Sequence, residues 1–279
     1  MAIKTNLKDL RPTREKFNRT VKLLGPHSVR QWFPKGEVVV YPWDSSIDEW
    51  VATTKDVKSS DYAQFLLDVV KRLVNLGDCP AQNLCYGDAT LVMMVARSLR
   101  NKGQYSLEPK CSNTKCGCTN ATEHIRIPED LEILGSKALD YQGHDEITLP
   151  DSQDTVTIRP TTLGDLIRLS SRNDLEKATV TETRANLLWN ITTVGGGRPD
   201  SLDELNGWYN ALSPSDQIYI NQTREKLEPQ LSNRIKFECE RCKEEFSVEI
   251  PLNSEFFRLG VPARLEGPVE QGISPGKKL

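Results

Sequence analysis

An α+β protein built from two similar strand–helix–hairpin halves is what this 279-residue sequence predicts, and three observations carry that reading. The first is a pair of cysteine knuckles lying more than 120 residues apart, KCSNTKCGC with Cys111, Cys116 and Cys118, and ECERCKEEF with Cys239 and Cys242. The second is their setting. YSLEP and EHIRIP flank the first knuckle, RIKFEC and EFSVEIP the second, and these short alternating runs read as strands of a hairpin. The third is a repeated order of elements. VVVYPWDSSIDEW and VTIRPTTLGDLIRL each read as a strand, a proline and a short helix. Each is followed by a long helix, a turn-rich loop, another helix, a strand, a knuckle and a strand ending in Ile-Pro (Ile127-Pro128, Ile250-Pro251).

Two cysteines a few residues apart form half of a structural zinc site, because a tight turn aims both sulfurs at one point. Two half-sites close a tetrahedral four-thiolate centre, so the expected metal ligands are Cys111, Cys116, Cys239 and Cys242 on one structural zinc. The halves are then joined by a split zinc ribbon. Cys116 is preferred to Cys118 because Gly117 follows it and can adopt the positive φ of a knuckle turn. Lys110, Lys115, Arg241 and Lys243 flank the ligands and offset part of the charge of four thiolates. The competing reading is that these are ordinary buried thiols. Each half owns two ligands, so the metal is expected to clamp the halves together, with its binding free energy part of the folding free energy.

The expected organisation is an N-terminal arm over 1–35, a first half over 36–130, a second half over 131–258 and a C-terminal arm over 259–279. The first arm is polar and broken by Pro12, Pro26 and Pro34, with one short helix expected near Glu15–Leu24. In the first half EVVVYP reads as a strand and WDSSIDEW as a short helix. Ser59, Ser60 and Asp61 precede a helix with Phe65, Leu66, Val69, Val70, Leu73 and Val74 on one stripe, and Asp88 stands as the cap of the next, with Leu91, Val92, Val95, Ala96 and Leu99 inward. In the second half EITLP and DTVTIRP form a hairpin, TTLGDLIRLSS a short helix and TVTETRANLLWNITTV a longer one. Ser201 and Glu204 form a capping box, and Ser213-Pro214 opens a helix that Pro229 ends. The arms lack an apolar stripe and are expected to contact other chains; the five tryptophans and Phe256-Phe257 are candidate anchors.

Composition narrows the function classes. A net charge of -3 and a pI near 5.8 argue against general nucleic-acid binding. No apolar run reaches the roughly 20 residues of a membrane span, and MAIKTNLKDLRPTREKF has no apolar signal region. Cys79 and Cys85 are expected as free thiols. The three histidines (His27, His124, His144) sit in no nucleophile motif, and Gly195-Gly196-Gly197 reads as a connection and not a phosphate loop. A four-thiolate zinc keeps no open position for water, so no catalytic residue, cofactor-binding residue or small-molecule substrate is expected, and the chain reads as a non-enzyme.

At this point the chain resembles the baseplate hub and baseplate assembly proteins of T-even-type contractile-tailed bacteriophages. The segments that carry the resemblance are VVVYP, VARSLRNKGQYSLEPKCSNTKCG, DTVTIRPTTLGD and above all FECERCKEEFSVEIPLNSEFFR. It covers roughly residues 36–258. The first knuckle departs from the usual C-x2-C by reading C-x4-C-x-C. The resemblance implies a virion structural protein near the tail hub, present in the host cytoplasm during assembly, with other tail and baseplate proteins as partners. The alternative within the same family is an assembly chaperone absent from the mature virion. From a different class, a zinc-ribbon nucleic-acid-binding regulator is the remaining alternative.

Overall fold

The computed structural model describes residues 17–53, 62–100, 104–135, 144–170, 181–250 and 263–265. In chain order its elements begin with β1 (Arg19–Lys22), β2 (Glu37–Val40), α1 (Ser45–Thr53), α2 (Tyr62–Leu73), β3 (Val74–Asn75) and α3 (Tyr86–Arg100). Next come β4 (Gln104–Pro109), β5 (Glu123–Arg126), β6 (Ile133–Leu134), β7 (Asp145–Thr148), β8 (Thr155–Ile158), α4 (Leu163–Ser170) and α5 (Glu182–Trp189). The rest are β9 (Ile191–Val194), α6 (Leu202–Ala211), α7 (Pro214–Leu227), β10 (Gln230–Leu231), β11 (Arg234–Glu238), β12 (Glu245–Glu249) and β13 (Ala263–Leu265). The fold is mixed α and β, and it separates into two compact units. One comprises Met1–Gly103 with Glu132–Leu231, the other Gln104–Leu131 with Ser232–Leu279. The expected halves 36–130 and 131–258 therefore do not appear as two consecutive bodies; each supplies chain to both units.

The larger unit holds two antiparallel three-stranded sheets, β1-β2-β3 and β7-β8-β9. β-Branched residues favour these strands: Val38–Val40 in β2, Thr155–Ile158 in β8 and Ile191–Val194 in β9. The two sheets close in the same way. Leu23 N–H donates to Gly36 O at 2.8 Å and Leu149 N–H to Asp154 O at 2.9 Å, each extending its hairpin beyond the last paired residues. Tyr41 N–H donates to Leu73 O at 2.7 Å and Arg159 N–H to Asn190 O at 2.8 Å, each tying the second strand to the residue before the third.

Each hairpin turn is also gripped by a buried aspartate near the start of a helix. Asp88 in α3 accepts from the backbone N–H of Leu24 (2.6 Å) and Gly25 (3.2 Å). Asp216 in α7 accepts from Asp151 (2.9 Å) and Ser152 (3.0 Å). Asp88 is therefore a turn clamp and not the helix cap expected of it. Burial, with Glu228 adding to it, pushes Asp88 up to about 7 from its ordinary 3.8, against the opposing pull of the Gly25 and Leu24 N–H groups. Because the folded value lies above the unfolded one, this group's contribution is complete below about pH 4 and is lost as pH rises to about 7. Asp88→Asn keeps an acceptor for both N–H groups and removes the titration. Its unfolding free energy is expected to lie above that of the parent at pH 8, with the difference closing as pH falls towards 4, in denaturant titrations across that range.

The core sits under the second sheet and around α3. Ile147, Val156, Leu188, Leu205, Ile220 and Leu227 belong to one buried cluster. α3 is buried on every side from Gly87 to Ser98, as a central helix must be, and not only along the expected stripe of Leu91, Val92, Val95, Ala96 and Leu99, the last of which is half-buried. Its first turn lies directly against the backbone following α7. A Cβ placed on Gly87 would stand 1.6 Å from the Pro229 carbonyl oxygen. The two halves of the chain also share backbone hydrogen bonds in this unit, Leu163 N–H to Leu84 O at 2.9 Å and Tyr86 N–H to Thr161 O at 3.1 Å. They are thus held together independently of any metal.

Several expectations change. Over its described part, the helix expected at Glu15–Leu24 is the strand β1, whose Thr20-Val21 pair and period-two burial suit a sheet edge. Residues 17–35 consequently belong to the body, with Val21, Leu23, Leu24 and Val29 buried, and the arm expected over 1–35 does not extend that far. The long helix expected over TVTETRANLLWNITTV stops at Trp189; the β-branched run Ile191–Val194 forms β9, and the turn beyond it takes positive φ at Gly195 and Gly196. Four tryptophans have internal roles. Trp43 is buried and donates to Asp48 Oδ1, Trp50 stacks on Phe65, Arg168 lies over Trp189, and Trp208 donates to Asp154 Oδ2. The capping box at Ser201 holds, with Glu204 N–H donating to Ser201 Oγ at 3.1 Å, and Ser213 caps α7 in the same way. Ser59–Asp61, Phe256-Phe257 and most of the tail lie outside the described residues.

Candidate metal centre

All five knuckle cysteines lie in the smaller unit. Its first hairpin pairs β4 with β5, from Gln104 opposite Arg126 to Leu107 opposite Glu123, and β13 runs parallel to β4. Its second hairpin pairs β11 with β12, from Arg234 opposite Glu249 to Glu238 opposite Glu245. Beyond the strands each chain folds into a tight knuckle. In the first, Cys116 N–H and Gly117 N–H both donate to Asn113 O, and Cys111 N–H donates to Cys118 O at 2.9 Å. In the second, Cys239 N–H donates to Glu244 O and Lys243 N–H to Cys239 O, both at 2.9 Å.

The residue after the last ligand of each knuckle is left-handed: Gly117 has φ +51° and Lys243 has φ +60°. Glycine adopts that conformation without steric cost, whereas lysine is strained there. The Lys243–Glu238 ion pair, 3.5 Å long with both side chains largely in water, offsets little of the strain. Lys243→Gly is therefore expected to stabilise the smaller unit by about 0.5–1 kcal/mol, readable as a raised melting temperature of its metal-loaded form.

The knuckles bring Cys111, Cys116, Cys239 and Cys242 together with all four sulfurs within 4.8 Å of one another. Cys111 Sγ lies 3.6 Å from Cys242 Sγ, and Cys116 Sγ lies 3.8 Å from Cys239 Sγ. A metal–sulfur bond of about 2.3 Å implies a tetrahedron whose edge is about 3.8 Å, so these separations already fit one ion. The four expected ligands are the ones that meet, and the arrangement is compatible with zinc. Beneath them Cys111, Cys239, Phe246 and Val248 form a small buried cluster with Phe237 against it. Cys239 is pulled down to about 6, first by the Cys242 N–H and further by the Cys118 thiol and the Arg241 N–H. Burial pushes Cys111 up to about 12. Metal uptake must displace that proton, so affinity falls with acid.

Cys118 lies beside that set of four. Its Sγ is 3.2 Å from Cys239 Sγ, shorter than a tetrahedral edge, and it also approaches Asn120 Oδ1 at 3.9 Å. Two asparagines that the sequence reading did not single out tie the knuckles together. Buried Asn120 accepts from Glu240 N–H at 2.9 Å and donates to Pro109 O at 3.1 Å. Asn113 donates to Glu244 Oε2 at 2.5 Å. Their partners are distant in sequence, so only the metal spacing could have pointed to them.

Elsewhere, Cys79 and Cys85 are buried and form no disulfide, and Cys85 Sγ lies 3.7 Å from Gly25 O and 3.6 Å from Ser28 Oγ. His124 is an exposed strand residue paired with Ser106 Oγ at 3.0 Å. In the larger unit a cleft of about 840 Å³ is lined by Arg159, Arg168, Trp189 and Arg198, with Asp200 the one carboxylate among the described lining residues. Arg159 is already bound to Asp165 through both terminal nitrogens, at 2.6 and 2.8 Å. Among the described residues no helix is long and apolar enough to cross a membrane. No family model, curated protein or solved structure matches this chain.

Proposed function

We propose that the four-cysteine cluster holds one structural zinc ion, and that the protein is a non-enzymatic structural component of a bacteriophage contractile-tail baseplate, in its hub region. The observation that carries this reading is the folding of FECERCKEEFSVEI, within the most specific segment of the baseplate resemblance, as a hairpin whose two thiols meet those of the first knuckle. Four thiolates favour a soft, tetrahedral ion, and such a site holds no position for water or substrate. Its role is to hold a small unit together. We also infer that the chain is an internal duplication. Paired three-stranded sheets, hairpin closures and aspartate clamps, each followed by a knuckle, support that inference.

The regulator reading has less support. Lys110, Lys115, Arg234, Lys236, Arg241 and Lys243 around the knuckles are interleaved with Glu108, Glu238, Glu240, Glu244 and Glu245, and four thiolates on one dication add further negative charge. Two measurements test the proposal. Metal analysis of the purified chain should find one zinc per chain. Affinity capture of the tagged chain, co-expressed with the tail proteins of its phage, should recover a baseplate protein. Failure to join any of them would sink the baseplate role. Protein analysis of purified virions separates component from assembly chaperone: a component is present in stoichiometric amount and a chaperone is absent.

A further inference from the structure

The fifth thiol is not one of the four ligands proposed above, yet its sulfur stands closer to Cys239 than the facing proposed ligands stand to one another. Cys118 Sγ stands 3.2 Å from Cys239 Sγ, against 3.6 and 3.8 Å for the contacts between ligands. It is half-buried, and so reachable from solvent, while Cys239 is completely buried. The Cys118 backbone is pinned by its carbonyl, which accepts from Cys111 N–H, so the contact is built into the first knuckle. Bond formation requires the two sulfurs to approach by only about 1.2 Å, to the roughly 2.05 Å of a disulfide.

We propose that Cys118 is an oxidation site, and that peroxide converts Cys118 and Cys239 into a disulfide that expels the metal. This rests on the zinc reading above. The steps balance with hydrogen peroxide as oxidant. The Cys118 sulfur attacks one peroxide oxygen, the O–O bond breaks, and the thiol proton leaves with the other oxygen as water, giving a sulfenic acid. Cys239 sulfur then attacks Cys118 sulfur. The S–O bond breaks, and hydroxide departs and takes up a solvent proton as a second water. The two sulfurs together lose two electrons, and peroxide gains them. Cys239 can no longer serve as a thiolate ligand, so three thiolates remain and the ion is released. A dithiol reductant with added zinc reverses the change.

The test uses the full-length zinc-loaded protein and hydrogen peroxide, with zinc release followed by a chromogenic chelator and cross-links mapped by peptide mass spectrometry. The parent is expected to release its zinc together with the appearance of a Cys118–Cys239 cross-linked peptide, and to rebind zinc after reduction. Cys118→Ser is expected to bind zinc as the parent does, to lose the cross-link and to lose the peroxide-driven release. Equal release from the Cys118→Ser variant, or cross-links confined to other cysteine pairs, would overturn the inference while leaving the zinc site intact. Loss of zinc binding in untreated Cys118→Ser would make Cys118 a ligand and overturn it as well. A parent chain that binds no zinc would overturn the metal reading, and this one with it.

Discussion

Serine at Cys239, or removal of the metal by a strong chelator, is expected to unfold the smaller unit and leave the larger one folded. The smaller unit buries one cluster of Cys111, Cys239, Phe246 and Val248, two of them among the four clustered thiols, and beside it Leu107, Ile125, Ile127, Leu131 and Ile250; so modest a core leans on a staple. Structural zinc supplies on the order of 10 kcal/mol to small metallo-domains, comparable with the stability of a whole domain. The larger unit has its own core and its own hydrogen bonds between the two halves of the chain. Thermal unfolding followed by circular dichroism should therefore show a zinc-dependent transition and a zinc-independent one. Cys79→Ser, at a buried thiol remote in sequence from both knuckles, should leave the first unchanged. A chelated protein that keeps both transitions, or loses both together, would contradict this.

Gly87→Ala is expected to destabilise the larger unit by about 3 kcal/mol or more, at the upper end of what overpacking costs. The added methyl has to displace the Pro229 carbonyl oxygen, which is backbone and cannot rotate aside as a side chain would. The control is Gly207→Ala in α6, an exposed position where a Cβ meets nothing within 4 Å. There the better helix propensity of alanine should stabilise by about 0.5–1 kcal/mol. Denaturant unfolding of both variants measures the contrast directly, and equal effects would mean that α3 and the Pro229 segment do not pack as described.

What could be read in the sequence divides by range. The knuckles were legible because a metal half-site is local: Cys239 and Cys242, or Cys116 with Gly117, announce their geometry within a few residues. The Ser201 and Ser213 caps and the β7-β8 hairpin were legible for the same reason. Which thiols meet followed in part once two half-sites were available to pair: Cys111, Cys239 and Cys242 are named by the spacing, whereas Cys116 and Cys118 both reach Cys239. The division into units was not legible. It depends on contacts such as Gly87 against Pro229 and Asp88 against Leu24, which join distant parts of the chain and leave no periodic trace. β1 and β9 were misread because a four-residue strand carries too few positions for its period to outweigh neighbouring helix formers. The clamp role of Asp88 was hidden behind a residue type that usually caps helices.

The smaller unit is assembled from chain segments that leave the ribosome at different times. Cys111 and Cys242 are 131 residues apart. At a synthesis rate of roughly 5–20 residues per second, the first knuckle waits roughly 7–26 s before its complement exists. During that interval it displays three thiols, Cys111, Cys116 and Cys118, with no partner hairpin to cover them. The nascent chain thus passes through a stage in which its first half-site is open to stray metals, to oxidants and to the knuckle of a neighbouring copy. The correct ribbon can close only after synthesis has passed Cys242.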